Sequence, residues 1–325
     1  MRAIQVSAHG GPEVLRLVDL PDPEPAPGEV VVAVSAAGVN FIDTYLRTGM
    51  YPSPTPFVPG SEGAGRIVAV GDGVEHRAVG DRVAWCDASA GYAEYVRIRA
   101  DRALPVPDGV SLAAAGSSML RGNTVHYLLD GSAHPEAGDT VLLHAGAGGI
   151  GLLLTQWASA RGIRVITTVS SDEKEQLSRA AGAAEVLRYG DDVAARVRDL
   201  TDGRGARVVY DGVGAATFEQ SLAATAVRGT IVLFGAASGP VPPFDLQRLN
   251  PAGSLSVTRP TLTHFIADPA EFAWRSGQFF DAVASGELTV TVGQSFPLEQ
   301  AAEAHRALES RSTVGSTMLA VADDD

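Results

Sequence analysis

The chain has 325 residues, which is enough for two domains that each bury a core. Its net charge of −13 and the lack of a basic block argue against binding to nucleic acid or to an anionic membrane, and no apolar run is long enough to span a bilayer. Cys86 is the single cysteine, which excludes an internal disulfide and a cysteine-built zinc site. No secretory signal is visible at the N-terminus, so we expect a soluble, cytoplasmic protein.

Residues 1 to about 118 are rich in predicted strands and turns. Short apolar runs at 30–34, 65–70 and 92–96 alternate with turns that contain Gly and Pro, and the proline-rich segment 21–27 is expected to be an exposed connection. This pattern predicts a small, partly closed β-barrel. An alanine-rich helix is predicted from Ser111, and a second helical pattern follows it.

A predicted strand, turn and helix then carry the dinucleotide-binding pattern G-x-G-x-x-G at Gly146, Gly148 and Gly151. One glycine of this motif makes the tight turn, the next lets the backbone approach a pyrophosphate, and the third allows close packing of helix on strand. The pattern alone is weak in a chain with 36 glycines. The helical run 152–160 and the β-rich run 163–169 complete a βαβ unit of the length that the motif requires.

The residues after the second strand of this βαβ unit determine whether the domain prefers NAD or NADP. An acid there holds the ribose 2′-OH of NAD, whereas small and basic groups accept the 2′-phosphate of NADP. The chain has Ser170, Ser171 and Lys174 at this place, and Lys174 is its only lysine. We therefore predict NADPH. Two alternatives remain: Ser170 with Glu173 also fits a helix capping box, and an Asp172 that reached the ribose would favour NAD.

Strands and helices keep alternating after this unit. Helices are predicted over 172–181, 193–200 and 217–226, and strands over 185–187, 207–211 and 229–235. This order predicts a parallel, doubly wound sheet whose ligand lies beyond the carboxyl ends of the strands. Small residues suited to close ligand approach follow two of those ends, at 211–214 and 234–239.

The last segment, from about Thr261, is predicted to rejoin the first domain. It contains predicted helices over 269–285 and 298–309 and a final strand over 316–321, and Asp323–Asp325 is expected to be a solvated end.

With these residues in view, the chain resembles the medium-chain dehydrogenase/reductase superfamily, and within it the zinc-free quinone oxidoreductases of the zeta-crystallin type. Further motifs that carry the resemblance are His9–Leu15, Gly38–Tyr45, Tyr51-Pro52, Gly60–Gly65, Gly80–Val83, Gly122-x-Thr124, Val209–Gly214, Val257–Pro260 and Ala304–Ser310. The resemblance implies an α/β fold with a GroES-like β-barrel catalytic domain over 1–118, completed by 262–325. It implies a Rossmann cofactor domain over 119–261 and a cleft between the two.

The fingerprint, the strand ends and the resemblance together give the predicted cofactor-binding residues. These are Asn40, Thr124, Gly146, Gly148, Gly149, Ile150, Gly151, Ser170, Ser171, Lys174, Tyr189, Gly212, Val213, Phe234, Gly235, Ser238 and Arg259. Close relatives commonly have an arginine directly after the tyrosine that matches Tyr189. This chain has Gly190 there and Arg188 before the tyrosine, which leaves part of the phosphate contact unassigned.

Zinc-dependent members of the superfamily use a cysteine in the first barrel loop and a Gly-His-Glu turn, where this chain offers Asn40 and Gly60-Ser61-Glu62. Without thiolate or imidazole, these positions predict no metal site. An acceptor that no Lewis acid polarises must itself be electrophilic, so we predict hydride transfer from NADPH to a quinone in the cleft. The candidate donors to the developing negative oxygen are Asn40, Tyr45, Tyr51 and Thr124.

The sequence is also compatible with two other functions. Reduction of an α,β-unsaturated ketone or aldehyde uses the same hydride geometry, and an NADPH-binding protein with a structural or RNA-binding role is the alternative of another class, although the acidic balance disfavours RNA. We interpret Asp43 as a loop cap, and His126 and His144 as core or surface histidines rather than acid–base groups.

The segment Ser254–Thr258 alternates small polar with apolar residues after the last strand of the cofactor domain, so we predict that it lies at the edge of the sheet. In the resembling family this edge pairs with its twofold mate, which implies a homodimer. The alternative is that a loop or helix covers the edge and the protein is a monomer.

Overall fold

The computed structural model describes residues 1–88 and 90–322, and the predicted solvated tail Asp323–Asp325 lies outside them. The described chain forms two compact units. The first contains 1–123, 267–286 and the residues from 290 onward, and the second contains 124–266 and 287–289. The predicted domain limits at 118 and 261 fall five residues before the observed limits at 123 and 266.

The first unit begins with an antiparallel hairpin of β1 (Arg2–Val6) and β2 (Leu15–Asp19). The next elements are β3 (Glu29–Gly38), α1 (Phe41–Thr48), β4 (Glu62–Val70), β5 (Arg82–Cys86), β6 (Tyr95–Arg99), β7 (Leu104–Pro105) and α2 (Leu112–Gly116). Helix α3 (Met119–Tyr127) follows and contains the limit between the two units. Strand β3 pairs antiparallel with both β4 and β6, and its valines lie in the buried core together with Trp85 and Tyr92. The apolar run of β3 is long because consecutive residues of the strand, which point to opposite faces of the sheet, are buried.

One local prediction in this part needs correction, and another is confirmed. The strand predicted over 92–96 begins only at Tyr95, because the residues before it bond to β1 instead: the Ile4 N–H donates to the Tyr92 carbonyl and the Glu94 N–H to the Arg2 carbonyl. The helix predicted from Ser111 is present as α2, and the Ser111 hydroxyl caps it by accepting the Ala114 N–H.

The second unit is a doubly wound parallel sheet, as predicted. Its elements are β8 (Thr140–Leu143), α4 (Gly149–Ala160), β9 (Arg164–Val169), α5 (Asp172–Ala180), β10 (Glu185–Arg188), α6 (Val193–Asp199), β11 (Ala206–Asp211), α7 (Phe218–Ala224), β12 (Thr225–Leu233), β13 (Ser256–Thr258) and α8 (Leu262–Phe265). The strand order is β10-β9-β8-β11-β12-β13, with every pair parallel. The order of strands therefore reverses between β8 and β11, and in open sheets of this type ligands bind at that point, beyond the carboxyl ends.

The position of β13 and the end of α7 can be compared with the sequence predictions. Strand β13 is the last in the strand order of the described chain, so the segment predicted to form an edge does so. The helix predicted over 217–226 ends at Ala224, because the β-branched Thr225 already starts β12.

The C-terminal segment contributes α9 (Pro269–Ala284), β14 (Val292–Pro297), α10 (Ala301–Glu309) and β15 (Ser316–Ala320). Strand β15 pairs antiparallel with β3, and β14 pairs parallel with β15, so the sheet of the first unit runs β14-β15-β3-β4-β5-β7 with β6 on β3. The helix predicted over 298–309 starts later, since residues 298–300 form a 3₁₀ turn. In residues 1–88 and 90–322, no helix has the length and apolar character that a membrane span requires.

Candidate cofactor and substrate site

The three glycines of the loop after β8, Gly146, Gly148 and Gly151, have different surroundings. A Cβ added at Gly146 would lie 2.5 Å from the Cβ of Thr167, and one added at Gly151 would lie 2.3 Å from the Ala145 carbonyl oxygen. At Gly148 the nearest atom, the Ala145 carbonyl oxygen, would be 3.4 Å away, which is an ordinary van der Waals distance, so a Cβ would fit there. The left-handed residue of the turn is Ala145 (φ 60°) rather than a glycine. Two of the glycines therefore serve packing, whereas packing within the chain does not require glycine at 148, where the sequence predicts the approach of a pyrophosphate.

Helix α4 starts directly behind this loop. Gly148 is its N-cap residue, and Gly149, Ile150 and Gly151 form its first turn. The first N–H groups of a helix have no partner within it, and together with the helix dipole they favour phosphate. These groups could hold the pyrophosphate of a dinucleotide, and the binding of the cofactor at this loop stays a prediction.

A pocket of about 580 Å³ lies at the carboxyl ends of β9 and β10, lined by residues 169–172 and 188–190. The predicted Ser170, Ser171 and Tyr189 line it, and so does Arg188, which the sequence analysis left outside the site. Ser171, not Ser170, caps α5, because its hydroxyl accepts the Lys174 N–H at 3.3 Å. The capping box proposed for Ser170 and Glu173 is therefore wrong.

Tyr189 connects this pocket to the glycine loop. Its hydroxyl accepts a hydrogen bond of 2.9 Å from the Ala145 N–H, and its ring stacks on His144 with 6.3 Å between the centroids. Lys174 is half-buried in the first turn of α5, and its side chain is not part of the pocket lining. The cationic group of the lining is Arg188, whose place at a strand end beside Tyr189 is a signal that the sequence could have provided.

Beyond β11, the buried Asp211 organises the loop at the reversal of strand order. Its carboxylate accepts hydrogen bonds from the N–H groups of Val213 and Gly214, both at 2.9 Å, and from the Ser221 hydroxyl at 2.7 Å. The Nε2 atom of His144 lies 3.1 Å from the same hydroxyl. Burial lowers the pKa of His144, so the ring is neutral and hydrogen-bonded in the core, which agrees with its interpretation as a core histidine.

The loops after β11 and β12 pack directly on one another. A Cβ added at Gly235 would lie 2.5 Å from the Gly212 carbonyl oxygen, and one added at Gly212 would lie 2.7 Å from the Phe234 ring. The Ser238 hydroxyl donates to the Val213 carbonyl at 2.7 Å and accepts the Ala216 N–H at 3.0 Å. The structure thus brings together these predicted residues, and the Ser238 hydroxyl is used to join the two loops. Arg259 follows β13 and donates to the Pro260 carbonyl at 3.1 Å.

In the first unit, Asn40 and Glu62 occupy the positions where zinc-dependent relatives have metal ligands. The Glu62 side chain is completely buried and accepts from the Asn40 amide (2.8 Å), the Leu120 N–H (2.7 Å) and the Arg121 guanidinium (3.3 Å). Arg121 also donates to the Val39 carbonyl at 2.7 Å. Burial raises the pKa of Glu62, and Arg121 opposes this rise.

The residues at this position do not fit a metal ion. The carboxylate of Glu62 is already bonded to three donors, and an adjacent guanidinium repels cations. In the part of the chain that the structure describes, no three His, Cys, Asp or Glu side chains are grouped so that they could hold a metal ion. Arg121 was missed by the sequence analysis, although Glu62 within a run of small residues indicates a buried charge that needs a partner.

Helix α1, which the sequence analysis did not predict, places Asn40 and Asp43. Asn40 precedes its first turn, and the helix ends at Gly49, whose φ of 77° suits glycine. Asp43 is buried and accepts from the Asn40 N–H (2.8 Å), the Ser61 hydroxyl (2.8 Å) and the Tyr92 hydroxyl (3.2 Å). Asp43 therefore caps the start of this helix, close to the loop-capping role that we predict, and burial raises its pKa.

The hydrogen-bond chain continues from Tyr92 to α10. The Tyr92 hydroxyl lies 3.1 Å from Nε2 of His305, whose Nδ1 lies 3.0 Å from an Arg47 nitrogen, and Arg47 pairs with Glu309 at 2.6 Å. Arginine can only donate, so Nδ1 accepts and the Nε2–H donates to Tyr92. Burial, and then Arg47, lowers the pKa of His305 to about 3. Sequence spacing gave no signal for this contact between α1 and α10.

The other predicted catalytic residues lie as follows. The rings of Tyr45 and Tyr51 are 5.3 Å apart, and the Tyr51 N–H donates to the Tyr45 carbonyl at 3.1 Å. Tyr45 is buried and Tyr51 is exposed. Thr124 is buried in α3 and belongs to the second unit. His126 is buried with its ring edge against Trp157, so it is a core residue.

A sheet built on β3 with a returning C-terminal segment, next in sequence to a doubly wound sheet with a glycine loop, defines the medium-chain dehydrogenase/reductase architecture. Residues 26–108 match the alcohol dehydrogenase GroES-like domain family, and residues 149–274 match the family described as zinc-binding dehydrogenase.

Full-length relatives narrow this class. The chain is 45% identical over 321 residues to a quinone oxidoreductase of Pseudomonas aeruginosa, covering 98% of this chain and 99% of that protein. It is also similar to a mycobacterial protein solved with NADPH (53% identity, TM-score 0.96, 99% and 100% of the two chains). The quinone oxidoreductase of Escherichia coli solved with NADPH has 42% identity and a TM-score of 0.97, over 99% and 100% of the chains. The chain belongs to the zinc-free quinone oxidoreductases of this superfamily.

Proposed function

We propose that the protein is an NADPH-dependent quinone oxidoreductase. The balanced reaction is NADPH + H⁺ + quinone → NADP⁺ + hydroquinone. The observation that carries the proposal is the Asn40–Glu62–Arg121 cluster at the position of the metal in zinc-dependent relatives: it supplies hydrogen-bond donors and no open coordination site. Such a site suits an acceptor that is electrophilic without a Lewis acid, and quinones have this property. Relatives with the same activity support the assignment.

Bound NADPH supplies the hydride, and the protein supplies position and polarity. The glycine loop with Gly148, Gly149 and Ile150 would hold the pyrophosphate, and the loops at Gly212, Val213, Phe234 and Gly235 would shape the space beyond β11 and β12. Asn40 keeps one amide N–H beyond the bond that it gives to Glu62. This N–H and the hydroxyls of Tyr45, Tyr51 and Thr124 are the proposed donors to the oxygen that becomes negative when the hydride arrives.

We further infer a preference for NADPH over NADH. A pocket with the serine hydroxyls of Ser170 and Ser171, the Tyr189 hydroxyl and a guanidinium suits a 2′-phosphate. Asp172, which would favour NAD as a ribose ligand, instead bonds to Arg188 at 2.6 Å. We expect Lys174→Ala, which removes the charge of the residue three positions after Ser171, to weaken NADPH binding by about 1.5–3 kcal/mol.

The experiment is a steady-state assay of NADPH and NADH oxidation with a panel of quinones and a matched panel of α,β-unsaturated ketones and aldehydes. We expect turnover with quinones, with formation of one hydroquinone per NADPH, and a larger kcat/KM for NADPH than for NADH. Turnover with the enone panel alone would make the protein an enone reductase. Tight NADPH binding without turnover on either panel would favour the binding or structural role.

Assembly and location complete the proposal. We propose a homodimer formed through the edge strand β13, and the supporting observation is that this strand ends the sheet of the second unit. The cytoplasmic location expected from the sequence stays a prediction.

A further inference from the structure

Arg188 contributes a positive charge to the wall of the pocket at the ends of β9 and β10. It is the last residue of β10, and among the described residues it is the one cationic side chain that lines the pocket of about 580 Å³. Its side chain is 31% exposed, so it is partly withdrawn from solvent but can reach the pocket. A guanidinium in the wall of a pocket that already contains three hydroxyl groups is a site for an oxyanion.

The guanidinium is held in place from one side. Its Nη2 atom donates to Asp172 and to Glu175, both at 2.6 Å. In the described part of the chain these are its side-chain hydrogen bonds, so the donors on Nε and Nη1 have no protein acceptor and form a free edge. The backbone is fixed as well, because the Arg188 N–H donates to Asp191 at 3.1 Å and the Asp191 N–H donates back to the Arg188 carbonyl.

The two carboxylates also set the local charge. Asp172 and Glu175 both bond to Arg188, and Glu175 is also paired with Arg179. A phosphate dianion entering the pocket is therefore attracted by the free edge of the Arg188 guanidinium and repelled by the acids behind it. Asp172 is the more exposed of the two, at 97% of its side chain against 28% for Glu175. The acids thus orient Arg188 and lower the affinity of the pocket for a dianion.

We propose that Arg188 recognises the 2′-phosphate of NADPH in this chain, and that Asp172 orients it while limiting the strength of phosphate binding. This inference rests on the proposed use of NADPH. It assigns cofactor specificity to a residue before Tyr189, whereas Gly190 occupies the position after it. A Cβ at Gly190 would meet no atom within 4 Å, so the structure has room for a side chain there.

Isothermal titration of the purified protein tests this without any turnover. The ligands are NADPH, NADH, adenosine 2′,5′-bisphosphate and 5′-AMP. We expect Arg188→Gln to weaken NADPH and the bisphosphate by about 10- to 100-fold, the effect of losing a hydrogen bond to a charged group, and to leave NADH and 5′-AMP unchanged. Asp172→Asn should tighten NADPH by a few-fold, because it removes a like charge at an exposed site.

Two further variants separate specificity from local structure. Arg179 bonds to the same Glu175 at 2.9 Å but does not line the pocket, so Arg179→Gln is the matched control and should leave all four affinities unchanged. Adding an arginine on the other side of the tyrosine, in the double variant Arg188→Gln/Gly190→Arg, should restore most of the NADPH affinity.

The outcomes are distinguishable. A preference for NADPH in Arg188→Gln as large as in the wild type would overturn the inference and leave the proposed function intact. Equal weakening of NADPH and NADH in Arg188→Gln would assign Arg188 to the structure of the pocket and would also overturn it. No wild-type preference for NADPH would refute the proposed cofactor itself, and a weakened NADH in Asp172→Asn would then identify Asp172 as a ribose ligand.

Discussion

The buried pair of Glu62 and Arg121 should control the stability of the first unit. Replacing Glu62 by Leu leaves a buried guanidinium without its counter-charge, and it also leaves the Asn40 amide and the Leu120 N–H without an acceptor. Removal of one partner from a buried pair costs about 3–5 kcal/mol. We therefore expect the free energy of unfolding of Glu62→Leu to fall by about that amount.

The double variant Glu62→Leu/Arg121→Met should recover much of the loss. Burial raises the pKa of Glu62 even with Arg121 beside it, which means that desolvation of the carboxylate outweighs the attraction. An apolar pair of similar volume avoids that desolvation, and such replacements are often neutral or stabilising. The same sign applies to pH: since folding raises this pKa, the contribution of Glu62 to stability decreases as pH rises above 4.5.

Urea unfolding followed by tryptophan fluorescence measures these changes, because the buried Trp85 lies in the same unit as Glu62. The control is Glu219→Leu, which breaks an exposed pair with Arg248 and should cost at most about 1 kcal/mol. A loss in Glu62→Leu no larger than in this control would refute the argument. A double variant as unstable as Glu62→Leu would show that packing, and not the unpaired charge, causes the loss.

Three further predictions concern pH, assembly and metal content. The pKa of His305 is about 3 in the folded protein and 6.5 in the unfolded chain, so its contribution to stability is complete above pH 6.5 and is lost as pH falls. We expect the free energy of unfolding to fall by about 2 kcal/mol by pH 5 and to fall by less in His305→Gln. An acid unfolding profile that does not change in this variant would contradict the prediction. Light scattering should give a dimer for the wild type and dissociation at micromolar concentration for Val257→Pro but not Val257→Thr, whereas a mass near 33.6 kDa at every concentration would refute the dimer. Elemental analysis should find no stoichiometric zinc, and activity should persist in chelator; zinc whose removal abolishes activity would refute the assignment.

The parts of the fold that follow from local pattern could be predicted from the sequence. The alternation of apolar strands with amphipathic helices gave the doubly wound sheet, and the glycine spacing placed the loop between β8 and α4, because both signals lie within about 30 residues. Helix α1 was missed, since its eight residues include Asp43 and Thr44, which have low helix propensity and are stabilised by caps and tertiary contacts.

The candidate site was predictable where it lies at strand ends and not where it depends on distant side chains. Glu62 and Arg121 are 59 residues apart, and Arg47 and His305 are 258 residues apart. Propensity and periodicity carry no information on such pairs, because side-chain partners across a fold are fixed by packing. Arg188 is an intermediate case: its place at the end of a strand was visible, but its bonds to Asp172 and Glu175 were not.

Asn40 is held by two buried carboxylates, those of Asp43 and Glu62. Its backbone N–H is bound by Asp43, and its side-chain amide donates to Glu62. An ionised carboxylate can only accept, so Glu62 determines which end of the amide faces it and keeps the nitrogen there. The charge of Arg121 offsets the charge of Glu62 within the same cluster. The position that holds a cation in zinc-dependent relatives thus contains an oriented amide with one further N–H. We propose this N–H as a donor to an oxygen that becomes negative, because a neutral amide, unlike a metal ion, does not activate an inert carbonyl in the ground state.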